Sequence, residues 1–405
     1  MADLGFQPPS NSLLTNLEEP ETHYPLTAYV CEKCWLAQVP ESKKATEIFT
    51  EDYPYFSSQS PANVSHAKKY VDMICERFKL GERQWDGILG VHKCFKKTKV
   101  LEIGSNDGYM LQFFKERACE VLGIDPAMEP AKVAIGKGIP TEITFFQYYM
   151  HSSSPTWDTK FDLICGINVL AHQPDINDFV KGLKMVLAPE GIITFEFPHL
   201  MRTIEGMQFD QIYAEHFSYF SFVTVREIFR KHGLEIFDVD YLREHGGSLR
   251  IYAQHDAGIQ TEAPEVRELI GFERDAGMFT AEYYTDFNKK VQIIKDDFME
   301  WLYNSRSLGE TTIAYGAAAK GNTFLNYCGI RSDLIPCVID KSPHKQGKYL
   351  PGSHIKIVSE EEGMKLRPDY VLILPWNLEK EISEQLKYIS EWGGKTISAM
   401  TGWRF

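Results

Sequence analysis

The chain has no apolar run long enough to span a bilayer, no excess of positive charge and no framework of paired cysteines. The first absence, with an N-terminus (residues 1–20) that carries neither a basic stretch nor an apolar core, leads us to expect a cytoplasmic protein with no membrane partner. Acidic residues outnumber basic ones, 56 to 43, for a formal net charge of -13. That balance argues against non-specific binding to nucleic acid or to an anionic membrane surface, so an anionic substrate must meet local basic groups. Of eight cysteines only Cys31 and Cys34 form a close pair, the pattern of reduced thiols rather than of a disulfide scaffold. What the chain does have is length and a globular balance. Its 405 residues, 43% apolar and 24% charged, are too many for one core, and two or three domains are expected.

A dinucleotide fingerprint is missing as well. The stretch Lys99-Val100-Leu101-Glu102-Ile103-Gly104-Ser105-Asn106-Asp107-Gly108 reads as a buried strand turning sharply into a helix. Its glycines, Gly104 and Gly108, are four apart with Glu102 and Asp107 around them, whereas a pyrophosphate loop places three glycines at a helix N-terminus. Such an acidic loop repels phosphate. It suits S-adenosylmethionine, which is cationic at its ammonium and sulfonium and has no phosphate. Asp125, closing the next strand, is placed to accept hydrogen bonds from both ribose hydroxyls. Glu102, Gly104, Ser105, Asn106, Asp107 and Asp125 are therefore the candidate cofactor contacts. Taken alone, the glycines fit an ordinary strand-turn-helix elbow better, and it is Asp125 and the downstream pattern that favour the cofactor.

Ahead of this stretch, Cys31-Glu32-Lys33-Cys34 supplies half of a zinc ribbon, which needs four ligands in two such pairs. A metal-free turn is the other reading. Trp35 to Val39 is strand-like. Asp52-Tyr53-Pro54-Tyr55-Phe56-Ser57-Ser58 is either the lining of a polar pocket or surface packing, and it runs into a helical pattern from Ala62 to Phe78. Gly81 to Thr98 reads as a connector with a solvated basic end.

From 98 to about 255, strands and helices alternate as in a doubly wound sheet. Phe161 to Cys165 is a buried strand, and the following Asn168 to His172 lie where open α/β sheets bind ligands. Asp175 caps the next helix. After the strand Gly191 to Phe197 comes Tyr213-Ala214-Glu215-His216-Phe217-Ser218-Tyr219, a carboxylate, an imidazole and two phenols in seven residues, as proton transfer requires. A hydrated surface loop is the alternative. His245-Gly246-Gly247-Ser248-Leu249-Arg250 is either an anion cradle, with Gly247 and Ser248 between two basic groups, or a glycine turn.

Beyond Glu282, Phe287, Val291, Ile294, Phe298 and Leu302 form one stripe of a long connecting helix. A second alternating unit follows. Thr312 to Gly316 is a strand, Ala317 to Asn322 opens a helix with Lys320 as a phosphate ligand, Leu334 to Asp340 is a strand whose end at Asp340 and Lys341 can read a sugar or base, and Asp369 to Trp376 is a third. A ligand-free Rossmann-like scaffold is the bland version of this unit.

In this order, the pieces resemble the sugar C-methyltransferase family that acts on nucleotide-linked ketosugars. The resemblance rests on Asp3-Leu4-Gly5 with Ser10-Asn11-Ser12, Cys31-x-x-Cys34, the Tyr53 to Ser58 loop, Glu102 to Gly108, Asn168 to His172, Tyr213 to His216, His245 to Arg250, Gly316 to Gly321 and Pro343 to Gly347. It implies an α/β architecture in which a small N-terminal module (1–55), a Rossmann-like methyltransferase domain (56–260) and a C-terminal Rossmann-like nucleotide-sugar domain (261–405) follow one another. It implies S-adenosylmethionine as cofactor, with Asn168 among its contacts, and a nucleotide-diphosphate ketosugar as substrate. His216 looks like the base that takes a proton from the carbon beside the ketone. Glu215, Tyr213, His172 and a tyrosine of the Tyr53/Tyr55 loop look like groups that orient the sugar and stabilise the enolate. Tyr53, His245, Gly247, Ser248, Arg250, Lys320, Asn322, Asp340 and Lys341 are the substrate-binding candidates. The family pattern has a further cysteine pair upstream of Asp3, so zinc on Cys31 and Cys34 is expected to lack half its ligands. A nicotinamide-dependent nucleotide-sugar oxidoreductase and a non-catalytic nucleotide-sugar binder are the competing expectations.

Overall fold

The computed structural model describes residues 1–49, 55–81, 97–149 and 158–400. Tyr53 and the connector from 82 to 96 lie outside the described residues. Three sheets organise the chain.

The first is antiparallel. Strands β1 (Ala2–Gln7), β2 (Tyr24–Val30) and β3 (Ala37–Gln38) are completed by β9 (Ser218–Tyr219), some 180 positions further along the chain. Trp35, expected in the strand, takes a left-handed conformation at φ 60°, so pairing starts only at Ala37. Because β1 to β3 pack their apolar side on Met278, Phe287, Val291 and the C-terminal sheet, the N-terminal segment shares one core with the end of the chain.

The central sheet contains β4 (Lys99–Ile103), β5 (Glu120–Ile124), β6 (Thr141–Glu142), β7 (Phe161–Ile167), β8 (Leu187–Pro198), β10 (Leu234–Leu242) and β11 (Ser248–His255), in the order β6-β5-β4-β7-β8-β11-β10. Its strands are parallel except β11, which runs antiparallel to β8 and β10. Continuous apolar runs such as Val100-Leu101 and Ile192-Ile193 are what a sheet covered on both faces demands. Helices Ile176–Val186, Phe222–Lys231 and Pro264–Asp275 cover one face through Phe179, Val225 and Leu269. Helices Pro61–Phe78, Leu111–Glu116 and Met128–Gly136 cover the other through Val71, Phe114 and Ala134. Fully buried Phe179, Phe195 and Phe229 each contribute about 2 kcal/mol of apolar burial. The strand order reverses at β4, so the crevice opens at the C-terminal ends of β4 and β7.

The third sheet, β12 (Thr312–Tyr315), β13 (Cys337–Ile339), β14 (Lys356–Val358), β15 (Tyr370–Ile373) and β16 (Lys395–Ser398), is all parallel in the order β14-β13-β12-β15-β16. The long helix Phe287–Ser307 buries the expected stripe, Phe287, Val291, Ile294, Phe298 and Leu302. No helix among the described residues is long and apolar enough to cross a membrane.

Candidate active site

The loop after β4 turns through left-handed positions at Gly104 (φ 72°), Asn106 (φ 50°) and Gly108 (φ 74°), conformations open to glycine and tolerated by asparagine. Asp125 fixes this loop. One carboxylate oxygen accepts from the Asn106 amide and the other from the Ala127 amide, both at 2.8 Å, and burial raises its pKa to about 6. Beside it Glu102 is buried, and no hydrogen bond reaches either carboxylate oxygen. Burial first, then the charges of Asp125 and Asp107, push its carboxyl well above the usual range. The Ser105 hydroxyl is buried without a partner too. A buried acid and hydroxyl left unpaired cost free energy unless a ligand meets them, and a cationic ligand answers both the acid and the surrounding negative field. These residues fit S-adenosylmethionine. The Asp107 carboxylate meets Lys137 at 3.4 Å and accepts from the Ser58 hydroxyl. Asn106 accepts from the Ser57 amide at 2.7 Å and donates to the Tyr55 carbonyl at 3.0 Å. The loop 55–58 is thus strapped to the glycine loop. The Tyr55 side chain is 46% exposed, and its hydroxyl accepts from Asn63 at 3.1 Å.

Across the crevice, the proton-transfer candidates converge. His216 Nδ1 donates to the Gln211 carbonyl at 3.0 Å, which leaves Nε2 with its lone pair, and the Tyr213 hydroxyl donates to that nitrogen at 2.6 Å. Burial, reinforced by nearby His172, holds His216 well below its ordinary pKa. Its ring is neutral at physiological pH. His172 lies edge to face against it, centroids 4.8 Å apart. Its own Nδ1 donates to the Glu215 carbonyl at 2.7 Å, and burial lowers its pKa to about 4. Its Nε2 can therefore accept but not donate. Glu215 is 1% exposed, its two carboxylate oxygens receiving the Asn11 amide at 2.9 and 2.8 Å. Asn168, left-handed at φ 57° after β7, donates to His245 Nε2 at 2.9 Å.

The C-terminal sheet presents its own strand-order reversal to the same region. Lys320, in the first turn of helix Ala319–Cys328, bonds Asn377 at 2.8 Å and sits 4.6 Å over the Trp376 ring. Burial lowers its pKa against the pull of Asp210. Trp376 donates to Asp210 at 2.6 Å, and burial raises that carboxyl to about 6. Asn322, on the same helix, is fully buried with neither amide atom paired, as a polar ligand contact would be.

Several of the expected substrate contacts are engaged within the protein. Arg250 is no free anion ligand: it pairs with Glu196 at 2.7 Å and Asp240 at 3.2 Å. The Gly247 amide and Ser248 hydroxyl both donate to the Glu244 carbonyl at 3.0 Å, so residues 245–250 form a turn closed on itself and not an open cradle. At the end of β13, Asp340 accepts from the Ala317 and Ser342 amides at 2.8 Å each, the same loop-fixing arrangement that Asp125 makes after β5. Lys341 points outward to Gln385.

Cys31 and Cys34 sit in a tight turn where the Cys34 and Lys33 amides lower the Cys31 thiol pKa. Among the described residues no group of three or more His, Cys, Asp or Glu can hold a metal. The described residues do not complete a four-ligand zinc site.

Sequence reasoning missed Asn11, Asp210, Gln211 and Trp376 as parts of this site, and His66 as a prop beneath it. His66 Nε2 meets Glu196 at 2.6 Å. Only Asn11 carried a signal, its place in the Ser10-Asn11-Ser12 run.

The chain is 33% identical over 399 residues to C-methyltransferase NovU of Streptomyces niveus, covering 98% of this chain and 91% of that protein. The chain belongs to the C-methyltransferase family. Residues 243–400 of this C-methyltransferase match the model of a C-methyltransferase C-terminal domain, residues 79–239 a methyltransferase domain and residues 1–49 a putative zinc binding domain. The enzyme depends on S-adenosylmethionine. A shorter likeness, 27% over 124 residues, links 29% of the enzyme to 52% of the ubiquinone biosynthesis O-methyltransferase of Actinobacillus pleuropneumoniae serotype 5b (strain L20). Among solved structures, magnesium protoporphyrin IX methyltransferase of Synechocystis PCC 6803 with bound SAM resembles 48% of the enzyme and 82% of its own chain, at 15% identity and a TM-score of 0.33.

Proposed function

We propose that the enzyme methylates the carbon beside the ketone of a nucleotide-diphosphate ketosugar, with His216 as the base. The observation that carries this reading is the orientation of His216: Nδ1 fixed on the Gln211 carbonyl, Nε2 basic and buried against Tyr213. A sugar carbon becomes nucleophilic only after losing a proton, and the neighbouring ketone makes that proton acidic. His216 Nε2 takes the proton, and the C–H electron pair moves into an enolate. Tyr213, kept protonated by burial and by the charge of Glu215, gives up its hydrogen bond to Nε2 as the substrate C–H takes that place and turns its hydroxyl to the oxyanion. His172 Nε2 and Glu215 accept from sugar hydroxyls and orient the ring. The enolate carbon then accepts the methyl group that S-adenosylmethionine provides, the carbon–sulfur bond breaking as the new carbon–carbon bond forms. Lys320 and the N-terminus of its helix hold the diphosphate, so that remote binding energy orients the sugar.

The test is incubation with methyl-labelled S-adenosylmethionine and a panel of nucleotide ketosugars. Label on carbon is expected, with His216→Gln slowed by at least about 100-fold and cofactor affinity unchanged. Label on oxygen, or a wild-type rate in that variant, refutes the reading.

A further inference from the structure

The carboxylate of Glu215 does not stand alone in the catalytic loop. One partner is Asn11, 204 positions earlier, and both carboxylate oxygens lie within 2.9 Å of the one amide nitrogen. Asn11 occupies a tight turn closed by the Ser12 amide on the Pro9 carbonyl at 3.1 Å and the Leu13 amide on the Asn11 carbonyl at 2.9 Å. That turn is pinned in its turn to the C-terminal sheet, where Leu14 and Tyr349 exchange backbone hydrogen bonds at 3.0 and 2.9 Å and Glu21 reaches the Gly352 amide at 2.6 Å and the His354 ring. An amide is the donor this position calls for. It holds an anion by hydrogen bonds without cancelling its charge, whereas an ammonium there would form an ion pair.

We infer that Asn11 is a positioning residue for methyl transfer: the N-terminal segment contributes to the active site by fixing the Glu215 carboxylate beside Tyr213 and His216. This rests on the reading of the site given above. A carboxylate held in one orientation favours a single sugar pose and a constant field at the Tyr213 phenol. A freely turning one does neither, and its loss lowers kcat through misplacement of the reacting carbon.

The experiment compares Asn11→Ala and Asn11→Asp with the wild type and with Glu215→Gln, using labelled methyl transfer to a nucleotide ketosugar across pH 5 to 9, calorimetric titration of S-adenosylmethionine, and urea unfolding. Asn11→Ala is expected to lower kcat at least 10-fold at unchanged cofactor affinity. Asn11→Asp sets a second carboxylate against Glu215, and the acidic limb of its kcat/KM profile is expected to move up by about one pH unit or more, a shift that a merely structural contact does not produce. Wild-type kcat and pH profile in both variants overturn the inference while Glu215→Gln remains impaired. If the wild type methylates no ketosugar, the reading of the reaction fails by itself. The Asn11 assignment is then decided by the unfolding cycle of Asn11→Ala, Glu215→Gln and the double variant: non-additive midpoints support it, and strict additivity refutes it.

Discussion

The ring of Phe56 stacks on the imidazole of His344, centroids 5.3 Å apart and planes at 23°. One short loop is thereby fastened on two sides, to the C-terminal sheet through His344 and to the glycine loop through the Ser57 amide on Asn106 and the Ser58 hydroxyl on Asp107.

Removing the stack should loosen that strap. An aromatic pair contributes about 1 kcal/mol beyond its buried area, so His344→Ala is expected to weaken S-adenosylmethionine binding about fivefold, read by calorimetric titration. Unchanged affinity would show that the glycine loop holds its shape without this contact.

Protonation of His172 should oppose folding. Its pKa in the folded enzyme is about 4 because burial disfavours the cation, against about 6.5 in an unfolded chain. The unfolded state therefore binds the proton first as pH falls, and the His172 contribution to stability is lost between about pH 6.5 and 4. Urea midpoints of wild type and His172→Gln measured over that window should converge as the pH drops. Parallel curves would contradict the assignment.

His66 should behave in the opposite sense. Burial disfavours its cation, but the hydrogen bond and charge of Glu196 outweigh this and raise its pKa. The stabilisation is complete below the unfolded value and disappears as pH rises through the folded one. His66→Gln should accordingly cost more stability at pH 6 than at pH 9, as thermal melts at the two pH values would reveal.

Glu273 is fully buried and accepts from the Phe222 amide at 2.5 Å, the Val223 amide at 2.9 Å and His199 at 2.7 Å. It caps the helix Phe222–Lys231 from a different helix. Glu273→Ala leaves those donors unpaired in the interior, a loss of about 3 kcal/mol or more, measured as a lowered urea midpoint. Glu273→Gln should lose less, since it keeps one acceptor oxygen.

The strands and helices that are regular over several residues were legible because periodicity records which face is covered: the Phe287 to Leu302 stripe is buried as expected, and Asp175 accepts from the Asp178 amide as a cap. Arg250 shows where such reading ends. Beside two glycines it looks like an anion ligand, but strand register sets Glu196 on one side of it and Asp240 on the other, and register between strands far apart in sequence leaves no local mark. The same holds for Asn11 with Glu215 and for Trp376 with Asp210, pairs made by tertiary packing alone. Within Tyr213 to His216, by contrast, the imidazole and the phenol meet because the turn from Tyr213 to His216 brings residues three apart together, which short-range spacing does record.

The strand β9 bears on how the polypeptide matures. As the nascent chain leaves the ribosome, its first three strands wait for Ser218 and Tyr219 to complete their sheet, and for the helix Phe287–Ser307 to cover it. N-terminal domains ordinarily fold while translation continues. Here the opening segment must remain unfinished until more than half of the protein has been made, and an excised fragment 1–49 should not hold its shape in isolation.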